Sequence, residues 1–76
     1  EQVRVGKGCH MEGRSLRDLQ LRRDFGVIVL AVRRASGSME FNPDADTRMH
    51  AGDYLIVMGE QAALHKLENL MQETLA

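Results

Sequence analysis

The decapeptide FGVIVLAVRR, residues 25–34, contains the longest unbroken apolar run of the chain. That run, residues 27–32, is rich in β-branched side chains and lies between Gly26 and a pair of arginines. A short apolar run with these flanks is typical of a strand that is buried on both faces of a sheet. The stretch therefore predicts the central strand of the fold. Its six apolar residues are too few to cross a bilayer.

Three further strands are predicted around this one. Residues 35–38, ASGS, read as a hairpin connection with glycine at its tip, so MEF at 39–41 should pair back as a short strand that Pro43 ends. The apolar segment YLIVM at 54–58 stops at a glycine and predicts another strand. The alternating VRV at 3–5 predicts a fourth strand with one buried face.

Two helices complete the pattern. Ser15 followed by Asp18 has the spacing of a capping box, and it begins a helix of about two turns that ends near Asp24-Phe25-Gly26. From residue 61 onward, apolar side chains recur every three or four positions, as on one face of an amphipathic helix. That face is formed by Leu64, Leu67, Leu70, Met71 and Leu75. The sequence thus predicts a small two-layer α+β domain, in which a mostly antiparallel four-stranded sheet carries a short helix from the N-terminal half and a longer C-terminal helix.

The size of the chain points to a partner. Its 76 residues suffice for one domain, residues 1–76. A domain this small buries little apolar surface and usually depends on a disulfide, a metal ion or a partner subunit. The single cysteine, Cys9, excludes an internal disulfide and indicates a reducing compartment, and no ligand spacing typical of a metal site is present. We therefore expect association with a second copy or with another domain of a longer chain.

Charge and motif spacing exclude several function classes. The ten basic and eleven acidic residues nearly balance and only three residues are aromatic, so the basic excess and stacking surface of a nucleic-acid binder are missing. Cys9 beside His10 is not expected to form a catalytic pair, because neighbours in an extended segment point to opposite faces, and no enzymatic activity is expected. Gly6-Lys7-Gly8 does not continue into a dinucleotide-binding loop, since position 11 is Met11, so NAD or ATP binding is not expected.

Three motifs, in this order, resemble one known family. GRSLRDL at 13–19 is similar to the G-x-S-L-x-x-L opening of the RCK C-terminal (TrkA-C) domain, where RCK stands for regulator of conductance of potassium. Residues 25–34 resemble the family's glycine-led strand, which ends in a basic residue. Residues 43–47 and 52–59 are similar to its P-x-x-D-T and G-D-x-L-x-V-x-G segments.

The resemblance implies a regulatory domain on the cytoplasmic side of a potassium channel or potassium uptake system. Such domains usually follow a Rossmann-like nucleotide-binding subdomain, pair as homodimers, and pass ligand binding on to the membrane pore or transporter part of the parent protein. Some members bind cyclic di-AMP between two copies and others respond to divalent cations, so either is expected as the effector. No cofactor in this fragment, no nucleic-acid partner and no direct membrane insertion are expected. The alternative is a ligand-free dimerisation module that organises an ion transporter.

The resemblance also implies where a ligand would bind, namely at the end of the short helix and the start of the next strand. Arg22 or Arg23 would contact phosphate, with Phe25, Val27 and Ile28 as apolar walls. Ile28 stands where relatives often carry a polar amide. The structural alternative is that both arginines are solvated or paired with neighbouring aspartates, and that the three apolar residues pack a dimer.

Overall fold

The computed structural model describes residues 1–72 and shows one four-stranded sheet with three helices. In chain order the elements are β1 (Gln2–Arg4), α1 (Leu16–Leu19), α2 (Leu21–Phe25), β2 (Ile28–Arg33), β3 (Met39–Phe41), β4 (Tyr54–Met58) and α3 (Gln61–Gln72). The strands lie in the order β1-β4-β2-β3, and each neighbouring pair is antiparallel. The structure confirms the predicted α+β class, the four strands and the long C-terminal helix. Leu75, which the sequence predicts on the apolar face of that helix, lies outside the described residues.

The core lies between one face of the sheet and the helices. Val32 on β2 pairs with Leu55 on β4, and both side chains are buried in one cluster with residues of all three helices. Helical members of this cluster are Leu19, Leu21, Leu64, Leu67 and Met71. Met49, from the loop before β4, is also fully buried in it. The helices therefore cover one face of the sheet. Within residues 1–72, no helix is long and apolar enough to cross a membrane.

The prediction that the central strand is buried on both faces is wrong for the single chain. Ile28 and Leu30 on β2 are 39% and 46% exposed. Ile28 pairs with Met58, which is also exposed, so this pair lies on the face that the helices do not cover. In addition, the register between β2 and β4 shifts between Val29 and Ala31, which breaks the regular in–out alternation of the strand.

The short helix also differs from its prediction. The capping box is present, because the Ser15 hydroxyl accepts from the Asp18 N–H while the Asp18 carboxylate accepts from the Ser15 N–H. The predicted two-turn helix is nevertheless divided into α1 and α2 by Gln20, whose backbone is left-handed with φ 50°. Gly26 ends α2, also in the left-handed conformation, as the break in the sequence predicts.

A buried ion pair ties the loops at the other end of the sheet. The Asp53 side chain is almost fully buried, and its carboxylate accepts from the Arg34 guanidinium at 2.6 Å and from the backbone N–H of His50 at 2.9 Å. The same carboxylate accepts from the N–H of Ala35 at 3.2 Å, and Arg34 also pairs with Glu40. The hydrogen bond to Glu40, together with Asp53, raises the pKa of Arg34 and holds it charged. One carboxylate thus fixes both the β2–β3 turn and the turn before β4.

Replacing Asp53→Ala should lower the free energy of unfolding by about 3 kcal/mol, because it removes the buried carboxylate that pairs with Arg34 and leaves the backbone N–H groups of His50 and Ala35 without their acceptor. The measurement is a urea unfolding curve at pH 7. Asp46→Ala is the matched control, since it breaks an exposed pair with Arg17 and should cost at most about 1 kcal/mol. Equal losses in the two variants would contradict a stabilising role for the Asp53 pair.

Candidate ligand-binding site

An open cleft of about 540 Å³ lies on one side of the domain. One wall is made by residues of α1 and α2, the floor by residues 27–29 at the start of β2, and the opposite wall by residues 42–45 after β3. Sites for small molecules commonly have volumes of about 300–1,000 Å³, so the cleft is large enough to hold a nucleotide-sized ligand.

The two walls are held together at the N-terminus of α1. The backbone N–H of Leu16 donates to the carbonyl of Thr47 at 2.9 Å, and that of Arg17 donates to the carbonyl of Ala45 at 2.8 Å. These bonds satisfy N–H groups that a helix leaves unpaired at its start. An ion pair at 3.1 Å between Arg17 and Asp46 spans the same junction on the surface. The loop after β3 is therefore positioned relative to α1 by backbone contacts.

The loop wall has its own internal order. The Asp44 carboxylate accepts from the backbone N–H of Asp46 at 3.0 Å and from the Thr47 hydroxyl at 3.3 Å. This arrangement is an Asx turn, which aspartate next to proline favours. Asn42 precedes Pro43 in a left-handed conformation with φ 48°, and its N–H donates to the carbonyl of Leu30 at 2.9 Å. The wall is thus anchored to the floor of the cleft as well as to α1.

The structure places the five predicted site residues in two locations. Arg22, Arg23, Val27 and Ile28 line the same cleft. Phe25 does not line it; this side chain packs against the core and lines a smaller groove of about 230 Å³ beside α3. Phe25 is the last residue of α2, where the helix adjoins Ala62 and Ala63 of α3, and its side chain lies on that side instead of the cleft.

The two arginines differ in their electrostatic surroundings. Arg23 pairs with Asp24 at 3.0 Å, which is what the structural alternative expects of it. Within residues 1–72, Arg22 makes neither an ion pair nor a side-chain hydrogen bond, and Asp18 is engaged in the helix cap instead. The Arg22 guanidinium is therefore the cation in the cleft that is available to an anionic ligand.

The predicted site omits several residues that line the cleft, namely Leu16, Arg17, Gln20, Leu21, Val29 and the whole opposite wall at residues 42–45. The composition of this wall indicates a polar turn after Pro43, and the turn is present. The side of the sheet to which a turn folds is decided by tertiary contacts, here the hydrogen bonds to Leu16 and Arg17, and local composition does not encode those contacts.

No three His, Cys, Asp or Glu side chains within residues 1–72 come together in a group that could hold a metal ion.

The uncovered face of the sheet borders the cleft. We call this surface the outer sheet face; its exposed large apolar residues are Ile28, Leu30, Met39, Phe41 and Met58. Phe41 is 77% exposed and pairs across the strands with Ala31, while Ile28 pairs with Met58. Ile28 belongs both to this face and to the floor of the cleft. Exposed apolar patches of this kind are typical of interaction surfaces.

The fold and these sequence motifs define a family. The family model of the TrkA-C domain matches residues 1–72, and the chain belongs to this family. The family identified from the three sequence motifs is thereby confirmed.

Two curated relatives are transport proteins. The chain is 44% identical over 57 residues to an uncharacterized transporter of Rhodopirellula baltica, covering 75% of this chain and 10% of that protein. It is 34% identical over 67 residues to the K⁺/H⁺ antiporter subunit KhtT of Bacillus subtilis, covering 88% of this chain and 41% of KhtT. The chain thus spans less than half the length of either relative.

Two solved structures share the fold. The RCK C domain of the potassium transport protein KtrA, in complex with cyclic di-AMP, has a TM-score of 0.82 at 25% identity and is aligned over 91% of this chain and 78% of that one. The RCK_C domain dimer of S. agalactiae BusR, in complex with the same dinucleotide, has a TM-score of 0.84 at 15% identity, over 93% and 86% of the two chains. The BusR comparison supports the fold alone.

The cap of α1 predicts a specific acid dependence of stability. Hydrogen bonds from the Ser15 backbone and hydroxyl lower the pKa of Asp18 below its ordinary value of 3.8. Because the folded-state pKa is the lower one, the carboxylate stabilises the fold above pH 3.8 and loses this effect as the pH falls through the folded-state pKa. The free energy of unfolding, measured with urea between pH 2 and pH 6, should therefore fall less steeply with decreasing pH in Asp18→Asn than in the wild type. Ser15→Ala should show part of this effect. An unchanged acid limb in both variants would exclude the cap as its source.

Proposed function

We propose that this chain is a regulatory domain that acts on the cytoplasmic side of a potassium or other cation transporter and binds a cyclic dinucleotide between two copies. The observation that carries the proposal is Arg22, which has no ion-pair partner among residues 1–72 and lies at a cleft whose floor is apolar and adjoins an exposed apolar sheet face. The TrkA-C family, the similarity to an antiporter subunit and the cyclic di-AMP complex of the KtrA domain support it. A role in regulation rather than catalysis agrees with this setting.

The chemistry of the cleft suits a phosphate linked to a flat base. A guanidinium binds phosphate through paired hydrogen bonds, and Arg22 has no competing carboxylate within residues 1–72. The floor at Val27–Val29 and the Pro43 ring offer apolar contact to a base. Cyclic di-AMP has two phosphates and two bases related by a two-fold axis. A single chain offers one Arg22, and a symmetric pair of chains offers two.

The outer sheet face supplies the surface for that pair. A domain that leaves five large apolar side chains exposed on one sheet face is stabilised by covering them. A two-fold interface uses the same patch on both copies, so the apolar character of the patch is matched automatically. Because Ile28 borders both the cleft and this face, a partner on the face would adjoin the bound ligand. Ligand binding then favours one arrangement of the two copies, and the attached transporter responds to that shift.

The proposal is tested by calorimetric titration of the chain with cyclic di-AMP and, separately, with Ca²⁺. Saturable heat with cyclic di-AMP, at one ligand per two chains, is the expected result. Heat with Ca²⁺ alone would replace the dinucleotide by a divalent cation as effector. Heat with neither, together with a stable dimer by sedimentation, would favour the ligand-free assembly module.

Arg22→Ala should weaken cyclic di-AMP binding at least about 100-fold, because the symmetric pair loses two guanidinium groups and each charge-assisted hydrogen bond to phosphate contributes about 1.5–3 kcal/mol. The far-UV circular dichroism spectrum and the unfolding midpoint should not change, since Arg22 is exposed. Lys66→Ala, which removes a cation beside the smaller groove on α3, is the matched control and should bind as the wild type does. Unchanged affinity in Arg22→Ala would remove this residue from the site.

Phe41→Ser should raise the dissociation constant of the dimer about 1,000-fold, because both copies lose an aromatic anchor that contributes about 2 kcal/mol. The monomer should stay folded, because Phe41 contributes little to the core of one chain. Sedimentation equilibrium over a range of protein concentrations measures the effect, with Gln61→Ser on α3 as the control. A wild type that remains monomeric at high concentration would show that the outer sheet face is not a dimer interface.

A further inference from the structure

Left-handed backbone conformations in this domain divide into two groups. Among residues 1–72, five glycines have positive φ values, and none of them lines the cleft. These are Gly8, Gly13, Gly26, Gly37 and Gly52. The two residues other than glycine with positive φ values are Gln20 at 50° and Asn42 at 48°. Both carry a carboxamide, and they line the cleft from opposite walls.

Glycine adopts this conformation without the steric cost that a Cβ atom adds, and outside the cleft glycine occupies these positions. Asparagine tolerates the conformation better than most residues because its side chain can hydrogen-bond locally. Within residues 1–72, however, the Asn42 carboxamide makes no such hydrogen bond; only its backbone N–H is used, as donor to the Leu30 carbonyl at 2.9 Å. The exposed carboxamide is therefore free to pair with a ligand in the cleft.

Most polar side chains of the cleft are already engaged by neighbours within the described range. Arg17 and Arg23 form ion pairs, Gln20 donates to the backbone carbonyl of Arg17, and the Asp44 carboxylate accepts from its own turn. The remaining groups are the Arg22 guanidinium on the α2 wall and the Asn42 carboxamide on the loop wall. The floor between these walls is formed by Val27, Ile28 and Val29, which offer no polar side chain.

We propose that Asn42 is the residue that recognises the base of the bound nucleotide, with its carboxamide paired to the N6 amine and N7 of adenine. A carboxamide fits this edge because it accepts from N6 and donates to N7 at the same time. Hypoxanthine and guanine present acceptors at both positions and cannot form this pair. The inference rests on the proposed function, since it assigns adenine recognition to a site that holds phosphate through Arg22.

The test compares two ligands and three proteins by titration calorimetry. The ligands are cyclic di-AMP and its inosine analogue cyclic di-IMP, in which an O6 acceptor replaces the N6 amine. The proteins are wild type, Asn42→Gly and the control Asn69→Ala, which removes an exposed carboxamide on α3 outside the cleft. Asn42→Gly keeps the left-handed backbone available, so its unfolding midpoint should stay close to that of the wild type.

The wild type and Asn69→Ala should prefer cyclic di-AMP over the inosine analogue by at least about 30-fold, because the dimer pairs with both bases, and Asn42→Gly should lose this preference through weaker cyclic di-AMP binding. Unchanged affinities in Asn42→Gly, or an equal loss for both ligands, would overturn the inference and leave the proposed function intact. Binding of neither ligand to the wild type would overturn the proposed function itself. A loss of preference in Asn69→Ala would also overturn the assignment to Asn42.

Discussion

The main constraint on this domain is that the helices within residues 1–72 are too few to cover both faces of its sheet. A four-stranded sheet has two faces, and the helices within residues 1–72 cover only one of them. The central strand β2 carries apolar side chains on both faces nonetheless, so Ile28 and Leu30 remain partly in water. The exposed sheet face, the open cleft beside it and the expected dependence on a partner all follow from this imbalance between sheet and helix.

Much of the fold follows from local sequence signals, because those signals act over a few residues. The Ser15 cap and the Gly37 turn are each determined by the preferences of one or two residues, and each lies where the sequence predicts. Strand β4 also ends before Gly59 as predicted, at a point where a Cβ atom would lie 3.1 Å from the Val27 side chain. The division of the short helix at Gln20 has no such signal. Glutamine has no particular preference for left-handed backbone, so the residue type at position 20 does not predict the break.

The candidate site could be predicted from the sequence only in part, because some of its residues come together through contacts that are distant in the chain. The resemblance to the TrkA-C family implies a site at the end of the short helix and the start of the next strand, and four of the five residues named there line one cleft. The opposite wall comes from residues 42–45, which reach the site through backbone hydrogen bonds to α1 and to Leu30. Hydrogen bonds of backbone groups carry no residue-type signature, so neither the position of this wall nor the separate location of Phe25 could be derived from composition or spacing.

The position of Ile28, shared by the floor of the cleft and the outer sheet face, has a consequence for how such a site can evolve. If the cleft binds the proposed ligand and the outer sheet face binds the proposed second copy, a larger or smaller side chain there would change both affinities in one step, and selection could not adjust either property alone. Adaptation to a new effector would instead proceed through Asn42 and its neighbours, which line the cleft from the loop wall. The loop wall of the cleft is thus the part that can change freely, while Ile28 in the floor must suit both the ligand and the partner subunit.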